Sequence, residues 1–136
     1  MRRSVAVIIH DKGKVLFVRR SKFRKSLPGV WSLPAETIVE KEPISDAAER
    51  CAWHELGLKI KMGDLVDELQ KDNGERLFFV TASIVEGEPR INTDEIEKIC
   101  WAAPRDFLND FKDKDNDLGD GLLHLKERLI NIIPKN

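Results

Sequence analysis

The sequence predicts one mixed α+β domain over residues 1–136, on three observations: paired strand runs joined by turn residues, a single interior helix, and an apolar stripe at helical spacing near the C-terminus. Val5 to His10 and Val15 to Arg20 are β-branched and aliphatic runs joined by Asp11-Lys12-Gly13-Lys14, the chemistry of a hairpin with Gly13 at a positive φ. Ser21 to Pro28 is polar and basic. It leads into Gly29-Val30-Trp31-Ser32-Leu33-Pro34, where prolines and glycine allow no long regular element. Ser45 or Asp46 caps a helix that Gly57 ends, because AAERCAWHEL between them is built mainly of good or neutral helix formers. Asp64 to Gln70 and Arg76 to Val85 flank Lys71-Asp72-Asn73-Gly74-Glu75, whose Asn-Gly pair favours a second hairpin, and Glu86-Gly87-Glu88-Pro89 closes that strand. Ile96 to Ala102 reads as a further strand, Pro104 opens a short helix through Phe111, and Lys112 to Asp117 is a solvated charged loop. Leu122, Leu125, Leu129, Ile132 and Ile133 make the apolar stripe of a last helix that packs on the sheet and stops at Pro134.

The bulk numbers narrow the class of function. A net charge of −1 with 35% charged residues gives no global basic field, so no nucleic acid polymer is expected as a partner. The run VAVIIH is cut short by Asp11, Lys12 and Gly13, too early for a signal peptide or a membrane span. Cys51 and Cys100 are too few for a disulfide framework. A cytoplasmic protein with no membrane contact is the expectation.

The chemistry concentrates between Glu36 and Leu58. At 100° per residue, Ala48, Ala52 and Leu56 fall on one arc of the interior helix and anchor it. Cys51 and Glu55, spaced i and i+4, lie beside that stripe, and His54 continues the arc toward solvent. Glu36, Glu40 and Glu42 precede the helix, so a loop folded back over this edge can add carboxylates. Upstream, Arg19, Arg20, Arg24 and Lys25, with Lys22, place five positive charges within seven residues. That run reads either as an anion site or as an ordinary basic loop.

The stretch GVWSLPAETIVEKEPISDAAERCAWHELGL resembles the Nudix box, written G-x5-E-x7-R-E-U-x-E-E-x-G-U with U aliphatic. Glu42 stands at the first Glu of the pattern, Arg50 at the Arg, Ala52 at the small apolar position, Glu55 at the last Glu and Gly57-Leu58 at the closing pair. The opening hairpin, the Gly-Val-Trp-Ser-Leu-Pro lead-in and the Glu95 to Trp101 segment extend the resemblance over nearly the whole chain. The resemblance implies an α/β/α sandwich around a mixed sheet. It also implies hydrolysis of a nucleoside diphosphate derivative by water, Mg²⁺ or Mn²⁺ as cofactor, and a homodimer. Glu55 is then the catalytic metal ligand, with Glu42 and Glu95 as helpers, while Arg50 and Gly57 keep the box folded.

Two box carboxylates are replaced. Cys51 follows the Arg where the pattern has Glu, His54 takes the first place of the Glu-Glu pair, and Glu36 stands at the opening Gly. Hard Mg²⁺ prefers oxygen ligands, so the expected hydrolase is slow; the alternative is an inactive nucleotide-binding or protein-interaction module without a metal. A third expectation is a change of metal, since Cys51, His54 and Glu55 are all zinc ligand types.

Overall fold

The computed structural model describes residues 2–25, 27–92 and 94–133. Strands β1 (Arg3–Asp11) and β2 (Lys14–Arg20) form the first hairpin, turned by Lys12 at φ 51° and Gly13 at φ 79°. Two short strands follow, β3 (Trp31–Ser32) and β4 (Ala35–Thr37), as much regular structure as that proline-rich connector allows. Helix α1 (Ile44–Leu56) comes next, then β5 (Lys59–Gln70) and β6 (Arg76–Glu86), joined through the Asn73-Gly74 turn with Gly74 at φ 91°. The chain ends with β7 (Ile96–Ala102), α2 (Pro104–Asn109), a single 3₁₀ turn at Asp115–Asp117, α3 (Asp120–Leu125) and α4 (Leu129–Ile132).

The sheet is mixed, in the order β3-β2-β1-β6-β5, with β4 also paired to β1 and β7 to β2. The β1–β6 pair is parallel and the others are antiparallel. Hairpin partners β1 and β2 pair only near the turn, at His10↔Val15 and Asp11↔Lys14. Beyond it they diverge, and β4 takes the edge of β1 from Ser4 to Ala6.

Period-two alternation sorts the core into two layers. Val5, Val7, Ile9, Leu16 and Val18 point to the face covered by Ala48, Cys51, Ala52 and Leu56 of α1. Ala6, Ile8, Val15 and Phe17 point to the opposite face, under Phe107, Leu122, Leu125 and Leu129 of α2 to α4. This is the expected α/β/α sandwich. Phe17 stacks on Phe107 at 3.8 Å between centroids, fixing α2 to the sheet.

Three details differ from the sequence reading. Helix α1 starts at Ile44 with Pro43 as its cap, and no side chain caps it; Ser45 and Asp46 lie inside the first turn. Strand β5 begins at Lys59 rather than Asp64, and its early part is irregular, with register shifts around Met62 and Leu65. The single last helix is two short ones. Arg128 donates from Nη2 to the His124 carbonyl at 3.2 Å, the acceptor its own N–H would use in a continuous helix, while that N–H bonds Leu125 instead. The apolar stripe survives the break, since Leu122, Leu125 and Leu129 are all fully buried. The stop at Pro134 lies outside the described residues.

Candidate functional site

Helix α1 is held most firmly at its C-terminus. Gly57, at φ 67°, turns the chain so that its N–H reaches the Trp53 carbonyl at 3.0 Å and Leu58 N–H reaches Ala52 at 3.2 Å. The segment after β6 takes the next carbonyls: Arg90 N–H bonds Leu56 at 2.7 Å, Asn92 N–H bonds Glu55 at 3.3 Å, and Asn92 Nδ2 bonds His54 at 3.3 Å. These contacts fix the axial position of Cys51, His54 and Glu55. Sequence reading missed Arg90 and Asn92, because no local pattern marks a residue that caps a distant helix.

The inner edge of α1 is dry. Cys51 is fully buried and Glu55 is 3% exposed, with the thiol donating toward Glu55 Oε2 at 3.6 Å. Burial pushes the Glu55 carboxyl up to about 8, and nearby Glu36 adds to that, while Arg24 opposes it. Burial likewise drives the Cys51 thiol well above its ordinary range, reinforced by Glu55 and Glu36. Near neutral pH this edge is therefore largely uncharged.

The outer edge is an ion-pair network. Arg50 grips Glu42 with two hydrogen bonds, Nε to Oε2 at 3.1 Å and Nη2 to Oε1 at 2.9 Å, and bonds the Thr37 carbonyl at 2.7 Å. Its remaining nitrogen, Nη1, pairs with Glu36 Oε2. The hydrogen bonds from Arg50 hold the Glu42 carboxyl below its ordinary range, and Glu42 in turn raises Arg50. The other oxygen of Glu36 meets His54 Nδ1 at 2.5 Å.

Two arginines of the basic run pair with Glu95 and Glu97, at the start of β7. Arg24 Nη1 donates to Glu95 Oε2 at 2.5 Å, and Arg19 pairs with Glu97 at 3.3 Å. Arg19 and Arg20 also hold the loop closed through the carbonyls of Gly29 and Leu27, at 3.0 and 3.1 Å. Lys25 is exposed. Burial lowers Arg20 and Arg24 lowers it further, while Glu55 and Glu95 pull it back, so these four groups feel one another. The run is thus an internally paired loop whose arginines adjoin Glu55, rather than an open row of cations.

Arg24 contacts Glu95, and Glu55, Arg20 and Arg24 influence one another electrostatically. Glu42 does not join them; it serves Arg50, as a structural role for the box implies. Glu36, one of the carboxylates expected to fold back over the helix edge, connects Arg50 to His54. Trp31 packs edge-on against Phe107 at 5.4 Å, whereas Phe23 is 82% exposed.

The zinc expectation needs correction. Cys51 is sealed in the core against Glu55, and His54 is turned to Glu36, so the two do not present a common ligand set. Among the described residues no group of three or more His, Cys, Asp or Glu side chains is placed to hold a metal ion. The hard-cation set does not fit either. Glu55 is buried at 3% exposure, and Glu36 and Glu95 are already committed to Arg50 and Arg24. Two concavities, one beside Gly13 and Pro104 and one beside Leu108 and Lys126, lie on the α2–α4 face, away from these groups. Among the described residues no helix is long and apolar enough to cross a membrane.

Comparison with known proteins gives the same frame. The NUDIX domain family model matches residues 1–121. The chain is 28% identical over 109 residues to the uncharacterized Nudix hydrolase YfcD of Escherichia coli (strain K12), covering 77% of this chain and 61% of that protein. It is 28% identical over 110 residues to the isopentenyl-diphosphate Delta-isomerase of Kocuria rhizophila, covering 74% and 61%. The match thus spans about three fifths of the length of these curated relatives. Among solved structures, the MutT protein from Methanosarcina mazei Go1 superposes with a TM-score of 0.75 at 20% identity, covering 93% of this chain and 91% of that one. With Arg50, Glu55 and Gly57 at box spacing in a helix that the α/β/α layers hold in place, and a family match over residues 1–121, the chain belongs to the Nudix family.

Proposed function

We propose that this chain is a slow Nudix-type hydrolase of a nucleoside diphosphate derivative, working at the edge of α1. The observation that carries this reading is Glu55, a box carboxyl tuned to about 8 and lying within the fields of Arg20 and Arg24. A carboxyl that titrates near neutral pH beside paired arginines suits proton transfer next to an anionic substrate. Arg24 can exchange Glu95 for a phosphate oxygen, since both are anionic acceptors for one guanidinium. Arg50 and Glu42 keep the loop before α1 in register, and water is the nucleophile.

Nudix hydrolases act on small nucleoside diphosphate compounds and generally use divalent metals. Here Cys51 and His54 withhold two carboxylates, and the slowness follows from that loss. The names of the relatives are in keeping with a diphosphate-bearing ligand, one being an isomerase of isopentenyl diphosphate. A cytoplasmic setting and a homodimer belong to the same reading; Trp53, 57% exposed on the outer face of α1, suits an interface. The buried Cys51–Glu55 pair favours one second reading, a module that binds the nucleotide without turning it over.

The test is a panel of nucleoside diphosphate sugars, dinucleoside polyphosphates, ADP-ribose and nucleoside triphosphates, assayed with Mg²⁺, Mn²⁺, Zn²⁺ or chelator. Measurable hydrolysis is expected, and Cys51→Glu with His54→Glu should raise it with Mg²⁺ by at least ~10-fold. Calorimetric binding of a nucleotide without any turnover would select the binding module.

A further inference from the structure

We propose that Asn92 is a positioning residue, which sets Glu95 and the turn that carries Arg24 against Glu55; this rests on the hydrolase reading above. The last carbonyls of a helix have no partner within it, and Asn92 takes two of those of α1. Its N–H bonds the Glu55 carbonyl at 3.3 Å and its Nδ2 bonds the His54 carbonyl at 3.3 Å. Its own carbonyl accepts from the N–H groups of Glu95 at 2.9 Å and Ile96 at 2.8 Å, and its Oδ1 accepts from Asp94 N–H at 3.2 Å. Every polar group of the half-buried Asn92 is thus engaged, partly with the last turn of α1 and partly with the entry to β7.

The bonds continue beyond Glu95. Its carbonyl accepts from Ser21 N–H at 3.0 Å, and the Ser21 carbonyl accepts from Arg24 N–H at 3.1 Å. A run of backbone hydrogen bonds therefore leads from Glu55 through Asn92, Glu95 and Ser21 to Arg24, and the Arg24–Glu95 side-chain pair closes it. The far end of the run is anchored as well, since Ser21 is 1% exposed and Lys22 N–H bonds Glu97 Oε1 at 2.8 Å.

This path governs separation. It fixes how far the guanidinium that takes the phosphate lies from the carboxyl that moves the proton, and an error of about 1 Å in such a geometry can cost ~10²-fold in rate. Within the run, Asn92 adds a side-chain tether to the helix end through Nδ2. A substitution removes that tether while the backbone N–H and carbonyl stay in place.

The test compares wild type, Asn92→Ala, Asn92→Asp and Ile132→Ala on the panel compound turned over fastest. Asn92→Ala loses both side-chain bonds, whereas Asn92→Asp keeps the acceptor for Asp94 N–H and loses only the donor to the His54 carbonyl. Ile132→Ala, at a half-buried position in the layer on the opposite face of the sheet, is the control for lost stability. For Asn92→Ala and Asn92→Asp, kcat should fall by ~10-fold to 10²-fold with KM within about threefold of wild type, because Arg24 still takes the phosphate. Ile132→Ala should melt at a lower temperature than wild type and keep kcat within about threefold. Either Asn92 variant within about threefold of wild-type kcat overturns the assignment, as does a loss carried by KM, or one that Ile132→Ala reproduces. No turnover by wild type on any panel member refutes the hydrolase reading itself, and the role of Asn92 with it; an active wild type matched by Asn92→Ala refutes the role of Asn92 alone.

Discussion

Glu42, in the loop before α1, and Glu55, in its last turn, belong to one motif. Arg50 meets Glu42 with two hydrogen bonds and holds its carboxyl low, whereas Glu55 sinks into the core opposite a thiol and is pushed up to about 8. Both side chains are largely shielded from solvent, at 13% exposure for the Glu42 side chain and 3% for residue Glu55. The contrast teaches that depth and partner together set the charge state of a carboxyl: desolvation dominates at Glu55 and the Arg50 hydrogen bonds dominate at Glu42. A motif position therefore predicts geometry more firmly than it predicts protonation.

Titration of Glu55 against stability should give the largest effect. The folded chain keeps this proton to about 8, while the unfolded chain releases it near 4.5. The stabilisation is therefore complete below about 4.5 and is lost as pH rises toward 8, on the order of 3–5 kcal/mol in total. Urea denaturation at pH 5 and pH 8.5 measures it, and Glu55→Gln should flatten the profile. A profile unchanged by that substitution would dissolve the contrast with Glu42.

Removing the partner of Glu42 should cost less. Arg50→Ala strips Glu42 and Glu36 of their shared cation, and because Arg50 is itself 40% exposed the loss should be about 1–2 kcal/mol. The Glu42 carboxyl should move back up in an NMR titration. If it stays low, the Val39 N–H at 3.1 Å, rather than Arg50, is what holds it. Gly57→Ala should destabilise by about 1 kcal/mol, since an alanine at φ 67° is strained and its Cβ would lie 3.0 Å from Arg90 Nε. The same thermal melt reads both variants. Smallest is Glu42→Gln, at roughly 0.5–1 kcal/mol. Its contribution is present above the unfolded value of 4.5 and disappears as pH falls through the lowered folded value.

Period and punctuation made the elements legible. The bounds of β7 match the expectation, because Ile96, Ile99 and Trp101 supply strand-forming residues and the segment ends just before Pro104. Gly57 ends α1 for the steric reason foreseen, a left-handed residue. What stayed hidden depends on partners far away in the chain. The antiparallel pairing of β2 with β7 sets Arg19 beside Glu97, and the loops just beyond these strands bring Arg24 to Glu95, so the basic run looked more open than it is. The start of β5 was obscured by its bulges, which break alternation around Gly63 and Asp64. The helix break at Arg128 turns on a guanidinium shared between Asp67 and the His124 carbonyl, which composition does not encode. At the site, the full burial of Cys51 and the Glu36–His54 contact needed the tertiary fold.

The parallel pairing of β1 with β6 governs how the molecule is made. Each partner in that ladder, from Arg3↔Arg76 to Ile9↔Ala82, is separated by about 73 residues, and α1 lies between them in the sequence. The sheet position between β1 and β5 is filled only by β6, so the floor beneath Ala48, Ala52 and Leu56 is incomplete until Glu86 has been synthesised. On the ribosome the helix that carries the chemistry thus emerges early and waits with its apolar face open, the interval in which a chaperone or a misfolded neighbour competes for it.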